Sequence, residues 1–435
     1  MTAFDEGLLS PVTAGHDEAV SDAAVLEALV CAEQALVTAY REIGMLPESE
    51  HEVIVRVLRG DASATDAVDL PALVAASVDG GNPVIPLVAQ LKDRVPEPLR
   101  PWVHRGATSQ DIVDTAMMII ALAAVERVRE SLTGVVDGLR GVAERHGRDV
   151  VAARTLTQHA LPITLGARVA TWARGVDRAI TRLAALEFPA QLAGAAGTRA
   201  SFVEITGSVD RAESLVEWFA RHARLETPAE SWQVTRWPIT ELGDALVQTI
   251  DALGKIASDV ATLSRTEIGE LSEGRGGGSS AMPQKQNPVA STLIRSAALR
   301  APHLGATLHL VAALAVDERP DGAWHAEWPT LRELLRLALG ASAHASSLAR
   351  SLRVDPSAAS RNLALTGALI VSERLAIVLV PLIGRARFDE LIASAAEGAD
   401  LGEFVRALPE AVDLDLDGLL DPASYTGADG SEDGR

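Results

Sequence analysis

Apolar residues recur at helical spacing along most of the chain. VLEALVCAEQALVTAYREIG sets them three and four apart and stops at Gly44, which predicts a helix ending there. A second helical pattern runs from Ile112 to about His146. Its first half is apolar on every face and its second half is amphipathic, and a helix apolar all round is buried all round. A third begins near Thr240, after Pro238. Leu242, Leu246, Ile250, Leu253, Ile256, Val260 and Leu263 mark one face, and the pattern reads on to about Glu273, roughly 50 Å at the helical rise. A fourth runs from about Val289 to Val316. Long apolar helices of this kind predict a bundle, either shared between chains or large and monomeric.

Shorter elements flank the long ones. Pro83, Pro86, Pro96, Pro98 and Pro101 punctuate the approach to HRGATSQD, and beyond about Ala349 the helices shorten again. The expected division is an N-terminal helical domain (1–105), a central long-helix domain (106–349) and a small C-terminal helical domain (350–435). The polar, acidic end, TGADGSEDGR, is expected to be disordered.

Composition sharpens this picture. Of 435 residues, 48% are apolar but only 3% aromatic, so Ala, Leu, Val and Ile must build most of the core, which favours closely packed helices and an all-α fold over a sandwich or barrel. The net charge is −20 with no basic tract, which argues against nucleic acid and anionic membrane as partners. A single cysteine, Cys31, excludes an internal disulfide framework and a cysteine-based zinc site. The N-terminus carries early acids and no long apolar run, and AMMIIALAAV (116–125) is too short to span a bilayer. A soluble cytoplasmic protein is expected.

The chemistry concentrates in GRGGGSSAMPQKQNP (274–288). It is not a P-loop, because no glycine directly precedes Lys285 and no Ser or Thr follows it. EF-hand and HExxH patterns are absent from the sequence, and no metal is expected. Gly274, Gly276, Gly277 and Gly278 let backbone approach a ligand, Ser279 and Ser280 add hydroxyls, and Lys285 and Arg275 add charge. Asn287 adds an amide. The set suits a carboxylate, or an oxyanion forming beside one; the plainer alternative is a flexible linker.

GSSAMPQKQNP resembles the signature loop of the fumarase/aspartase superfamily, GSSxMPxKxNP. HRGATSQD resembles its first conserved stretch and RTLTQHALPITLG its second, in the right order. DERPDGAWHAEW and LTGALIVSERLA look most like the bacterial 3-carboxy-cis,cis-muconate cycloisomerase branch. The resemblance implies a homotetramer with one shared bundle, active sites built from three chains, a polycarboxylate substrate and no cofactor. It implies β-elimination or addition through an aci-carboxylate dianion, which preorganised donors and cations must meet. Ser279 falls on the family's base. Lys285 and Asn287 fall on its substrate-carboxylate positions, Thr108 and Ser109 on its carboxylate-gripping hydroxyls, and Thr157 and Gln158 on its second-region contacts. Arg105, Ser280 and Met282 complete the implied binding set.

The chain departs from the family pattern at three places. Many members carry a histidine after the threonine of the second region; here Leu156 follows Thr155, as the cycloisomerase branch also lacks that histidine. Cycloisomerases tend to have MPHK and a WHT-like stretch; here the loop reads MPQK and Gln233 follows Trp232. His159 stands as either a catalytic acid or a structural histidine. Arg236 stands as either a cation for a further anionic group or a surface ion pair. Arg319 is placed among the substrate contacts, with subunit packing as its alternative. The leading activity implied is 3-carboxy-cis,cis-muconate cycloisomerase. The second is a fumarate-forming lyase that expels a nitrogen group, of the nitrosuccinate, aspartase or argininosuccinate type. Nitrite would leave without an acid, which suits the missing histidines. A non-catalytic structural or binding descendant is the alternative of another class.

Overall fold

In the computed structural model, residues 7–60, 63–274, 277–278, 282 and 284–430 are described. Helices dominate them, and strands are confined to two small antiparallel pairs. The long patterns fold as the helices Ser109–His146, Trp237–Leu263 and Val289–Ala313, joined by Leu165–Ala184 and Gly322–Ser351. By compactness the chain forms two units, 1–131 with 179–251 and 296–343, and 132–178 with 252–295 and 344–435. This partition differs from the three-part division by pattern, which stands as an expectation.

In the first unit, helix Asp22–Glu42 starts where the Ser21 hydroxyl accepts the Ala24 N–H at 3.2 Å. It packs on Val209–Ala223, burying Leu26, Leu29, Leu36 and Tyr40 with Leu215 and Phe219. By length and composition it is the single described helix that could cross a membrane, apart from one sharply bent pair, and here it is a core helix.

Helix Ser109–His146 is the post to which the rest of this unit is fastened. Ile112, Val113, Ala116, Met117, Met118, Ile120 and Ala121 are each at most 6% exposed. The all-round apolarity is thus met inside one chain and by itself requires no second one. The same turns bury polar groups. Thr115 Oγ donates to the Gln191 carbonyl and accepts its N–H, both at 3.0 Å. Asp114 accepts from Arg236 Nη1 at 2.6 Å and Nη2 at 3.1 Å, and from the Trp324 indole at 3.0 Å. Arg236 also meets Glu327, its Nε donating at 3.0 Å and its Nη2 closer still. Burial alone would lower the Arg236 pKa, but the two carboxylates raise it above its ordinary value, so it stays charged.

In the second unit, RTLTQHALPITLG forms a hairpin, Val150–Thr155 against Gln158–Thr164. The sequence reading assigned no strand here. The C-terminal helices cover the hairpin, with Ala152 buried beside Ile370, Val371, Leu375, Leu379 and Phe388. The long helix read to Glu273 ends ten residues earlier, at Leu263. Gly269 then turns left-handed (φ 64°), Leu271 and Ser272 pair with Val354 and Arg353, and the Asp355 N–H binds the Glu270 carbonyl at 3.0 Å. Periodicity cannot see that exit, because Ile268 and Leu271 continue the apolar rhythm.

Removing Arg236 leaves two buried carboxylates without their counter-ion. Arg236→Met is expected to destabilise the fold by about 3–5 kcal/mol, read as the fall in the urea midpoint. A loss under about 1 kcal/mol would show that the cluster behaves like a surface pair.

Candidate active site

The first stretch, HRGATSQD, is held from below. His104 Nδ1 lies 2.7 Å from Glu33 Oε1, which is fully buried, and the Tyr40 hydroxyl donates to the Arg105 carbonyl at 2.9 Å. The Glu33 hydrogen bond and charge outweigh burial and raise the His104 pKa. The Arg105 guanidinium sits 4.3 Å over the Trp102 ring. Asp111 is the clamp. Its carboxylate accepts N–H bonds from Thr108 (2.9 Å), Ala193 (2.7 Å) and Gly194 (3.1 Å). Burial raises its pKa to about 6 against the pull of those donors. Gly106 has a φ of 77°, where a side chain is strained, and a Cβ there would press on Ile205 at 2.8 Å and Phe202 at 3.0 Å.

Above that clamp, Thr108 Oγ accepts from the Arg319 guanidinium. The next residue back, Glu318, accepts the Gln233 amide at 2.5 Å, and Ala195 accepts it at 3.3 Å. Both acceptors are backbone carbonyls, so the amide nitrogen must face them. The Gln233 Oε1 is left buried without a hydrogen-bond partner on the Gly197 side. Thr108, Ser109, Gln233 and Arg319 therefore share one neighbourhood with the loop 194–199. Arg236 departs from both sequence readings. At 2% exposed it is no surface pair, and its guanidinium is already committed to Asp114 and Glu327. It holds the carbonyl end of Gln233 in place, donating to it at 3.4 Å alongside Gln110 at 2.8 Å.

In the other unit, Leu156 and Thr157 form the hairpin's two-residue turn with φ of 47° and 72°. Such a turn normally takes Asn-Gly, because a side chain at positive φ is strained, a β-branched one most of all. Leu156 is 96% exposed. Gln158 Nε2 donates to Thr157 Oγ at 3.3 Å, and His159 Nδ1 lies 2.7 Å from Thr366 Oγ. Burial and the charge of Arg154 lower the His159 pKa, which favours the neutral ring.

The signature loop is fastened at its base. Gly277 and Asn287 exchange backbone hydrogen bonds of 3.1 and 3.0 Å. A Cβ at Gly274 would stand 2.3 Å from the Ser351 carbonyl, so packing against backbone requires that glycine, and one at Gly277 would displace the Val289 side chain, 2.3 Å away. Glu273 caps helix Val289–Ala313, accepting from Ala290 N (3.0 Å) and from Ser291 N (2.8 Å) and Oγ (2.7 Å). Lys285 is exposed and its N–H binds the Met282 carbonyl at 3.0 Å; among the described residues no carboxylate pairs with its ammonium. Met282 is 43% exposed. Ser279 and Ser280, with Arg275, lie outside the described residues.

Sequence reasoning missed Asp111, Glu273 and the loop 194–199. One signal, present in each unit, is conformational. Of seven described non-glycine residues with positive φ, five (His104, Leu156, Thr157, Arg236 and Asp317) fall in the singled-out stretches, and Arg199 falls in the missed loop. Strain held this way is characteristic of functional sites.

A family model described as "Lyase" matches residues 13–302. The chain belongs to this lyase family, within the fumarase/aspartase superfamily. It is 45% identical to a nitrosuccinate lyase of Streptomyces davaonensis, over 98% of this chain and 93% of the relative. It is 34% identical to a 3-carboxy-cis,cis-muconate cycloisomerase of Acinetobacter baylyi, over 94% and 93%. Among solved structures, the 3-carboxy-cis,cis-muconate lactonizing enzyme of Pseudomonas putida superposes with a TM-score of 0.88 at 31% identity, covering 98% of this chain and 96% of that one.

Two expectations follow for this lyase. Replacing the turn by Leu156→Asn and Thr157→Gly should relieve strain, raising stability by roughly 1–3 kcal/mol in urea unfolding while turnover falls; unchanged stability would refute the strain. Asp111 holds a proton in the folded state that the unfolded chain has lost above about 3.9. Its contribution to stability is full below that pH and is lost as pH rises through about 6. The stability difference between wild type and Asp111→Asn should therefore fall across that window and level off above it; a flat difference would place the Asp111 pKa elsewhere.

Proposed function

We propose that this lyase forms fumarate from nitrosuccinate by eliminating nitrite. The observation that carries the reading is in the sequence, which has no histidine at three positions where the family resemblance leads one to expect a proton carrier. By the family resemblance, Leu156 stands where many superfamily members, and Gln233 and Gln284 where cycloisomerases, tend to place histidines, and burial with the Arg154 charge lowers the His159 pKa. Nitrite is a weak base and leaves with its electron pair unaided. The similarity to a nitrosuccinate lyase along nearly the whole chain supports the same reading.

In this mechanism Ser279 takes the proton from the carbon beside one carboxylate, as an alkoxide sustained by loop N–H groups and a cation. The carboxylate becomes a dianion, met by Lys285 and Asn287. The C–N bond then breaks, nitrite departs, and the carbon–carbon double bond of fumarate forms. Thr108 and Ser109, with Arg319 beside them, would grip the second carboxylate. Thr157 and Gln158 would contribute from another chain of a homotetramer. Leu299 and Leu310, 76% and 58% exposed on helix Val289–Ala313, with Leu314 just beyond at 62%, support self-association. The enzyme is read as cytoplasmic, without metal or cofactor.

The second reading is 3-carboxy-cis,cis-muconate cycloisomerase, favoured by the structural likeness to the lactonizing enzyme. Purified protein should release nitrite and fumarate in equal amounts from nitrosuccinate and leave the diene absorbance of 3-carboxy-cis,cis-muconate unchanged. Ser279→Ala should lower turnover by about 10²–10⁴-fold. Loss of the diene without fumarate release would establish the second reading, and turnover of neither substrate would favour a non-catalytic descendant.

A further inference from the structure

Positive charge is scarce in a chain of net charge −20, yet four cations line one cavity of about 650 Å³ in the second unit. They are Arg154 on the hairpin, Arg168 on helix Leu165–Ala184, Lys255 on helix Trp237–Leu263, and Arg265 just past its end. Two carboxylates answer them, and both are already engaged. Glu270 Oε1 accepts from Arg154 at 2.6 Å and from Asn362 at 2.8 Å, while its Oε2 takes the second Arg154 bond at 3.3 Å. Arg168 reaches that oxygen only at 3.6 Å and otherwise donates to the Ala152 carbonyl at 3.0 Å. Asp259 accepts from Lys255 at 2.6 Å and from the Trp172 indole at 2.8 Å. Four cations against two carboxylates leave two positive charges in excess.

One of these charges is expensive to leave alone. The Arg168 side chain is 13% exposed, and burial lowers its pKa by more than Glu270 restores. A guanidinium in that setting stays protonated and is stabilised by an anion that enters beside it. The rest of the lining suits a small ligand. Thr157 and Thr262 offer hydroxyls, and Trp172, Ile163 and Leu263 form an apolar wall.

We propose that this cavity binds a compact oxyanion of two negative charges, a dicarboxylate or a phosphate, between Arg168 and Arg265. The site does not depend on the lyase reading, although Thr157 belongs to both. It places an anion against the hairpin whose strained turn carries Leu156 and Thr157, so occupancy would steady that turn.

The test is calorimetric titration of the full-length protein with inorganic phosphate and, separately, with succinate. A Lys285→Met background weakens the proposed substrate site, and the response of the remaining binding to Arg265→Gln assigns it to the cavity. Saturable binding of either anion should persist there and weaken at least tenfold on adding Arg265→Gln. Arg265 is exposed, so that substitution leaves the core intact; Arg168→Gln should have a larger effect. Binding of phosphate alone or succinate alone identifies which chemistry the site prefers. Absence of saturable binding for both anions in the Lys285→Met protein, or affinity unchanged by Arg265→Gln, overturns the proposal. Failure of the lyase reading would appear instead as absent turnover.

Discussion

The first unit depends on a single guanidinium placed out of reach of water. Arg236 lies between Asp114 and Glu327, and each of the three comes from a different helix or helix start. Such a group is not chosen for raw stability, since well-packed apolar residues of similar volume often do as well. Its value is directional. A bidentate pairing to Asp114 and a second carboxylate at Glu327 leave one orientation for the segment that carries Gln233. Gln110 and Arg236 then fix that residue's carbonyl, and two backbone acceptors fix its amide. A side chain at a proposed substrate position is thus oriented by groups that need never touch substrate.

The same economy recurs in the second unit. Glu270 gathers Arg154, Arg168 and Asn362, and its own carbonyl receives Asp355. Burial would raise the Glu270 pKa, but those bonds and charges hold it below the ordinary carboxylate range. Each unit therefore ties a stretch that resembles a family motif to its helices through one over-committed ionic group, and the apolar contacts fill in around it.

Much of this was legible in the sequence. The long helices declared themselves by apolar spacing, and the loop GSSAMPQKQNP pointed to the family that the comparisons show. What escaped did so for physical reasons. The hairpin was hidden because its turn is Leu-Thr, where Asn-Gly would be the readable signal. The early end of Trp237–Leu263 was hidden because apolar rhythm continues past it. Asp111 and Glu273 look like ordinary helix-terminal acids, and only their partners, far along the chain or just across the loop, reveal them as clamps. Arg236 shows the opposite error. A lone arginine there reads as either a cation for a ligand or a surface ion pair, and nothing local announces that two distant carboxylates hold it in the core.

The turn at Leu156 has a consequence for how such a protein can change. Its backbone is left-handed and its side chain points into solvent. Most side chains other than Gly, Asn and Asp bear nearly the same strain there, and none is asked to pack. Identity at that position is therefore almost independent of the fold. A proton-carrying residue can be exchanged for an inert one, or back again, with little disturbance elsewhere. The fold leaves this position open to drift, so it can change without the rest of the chain having to answer.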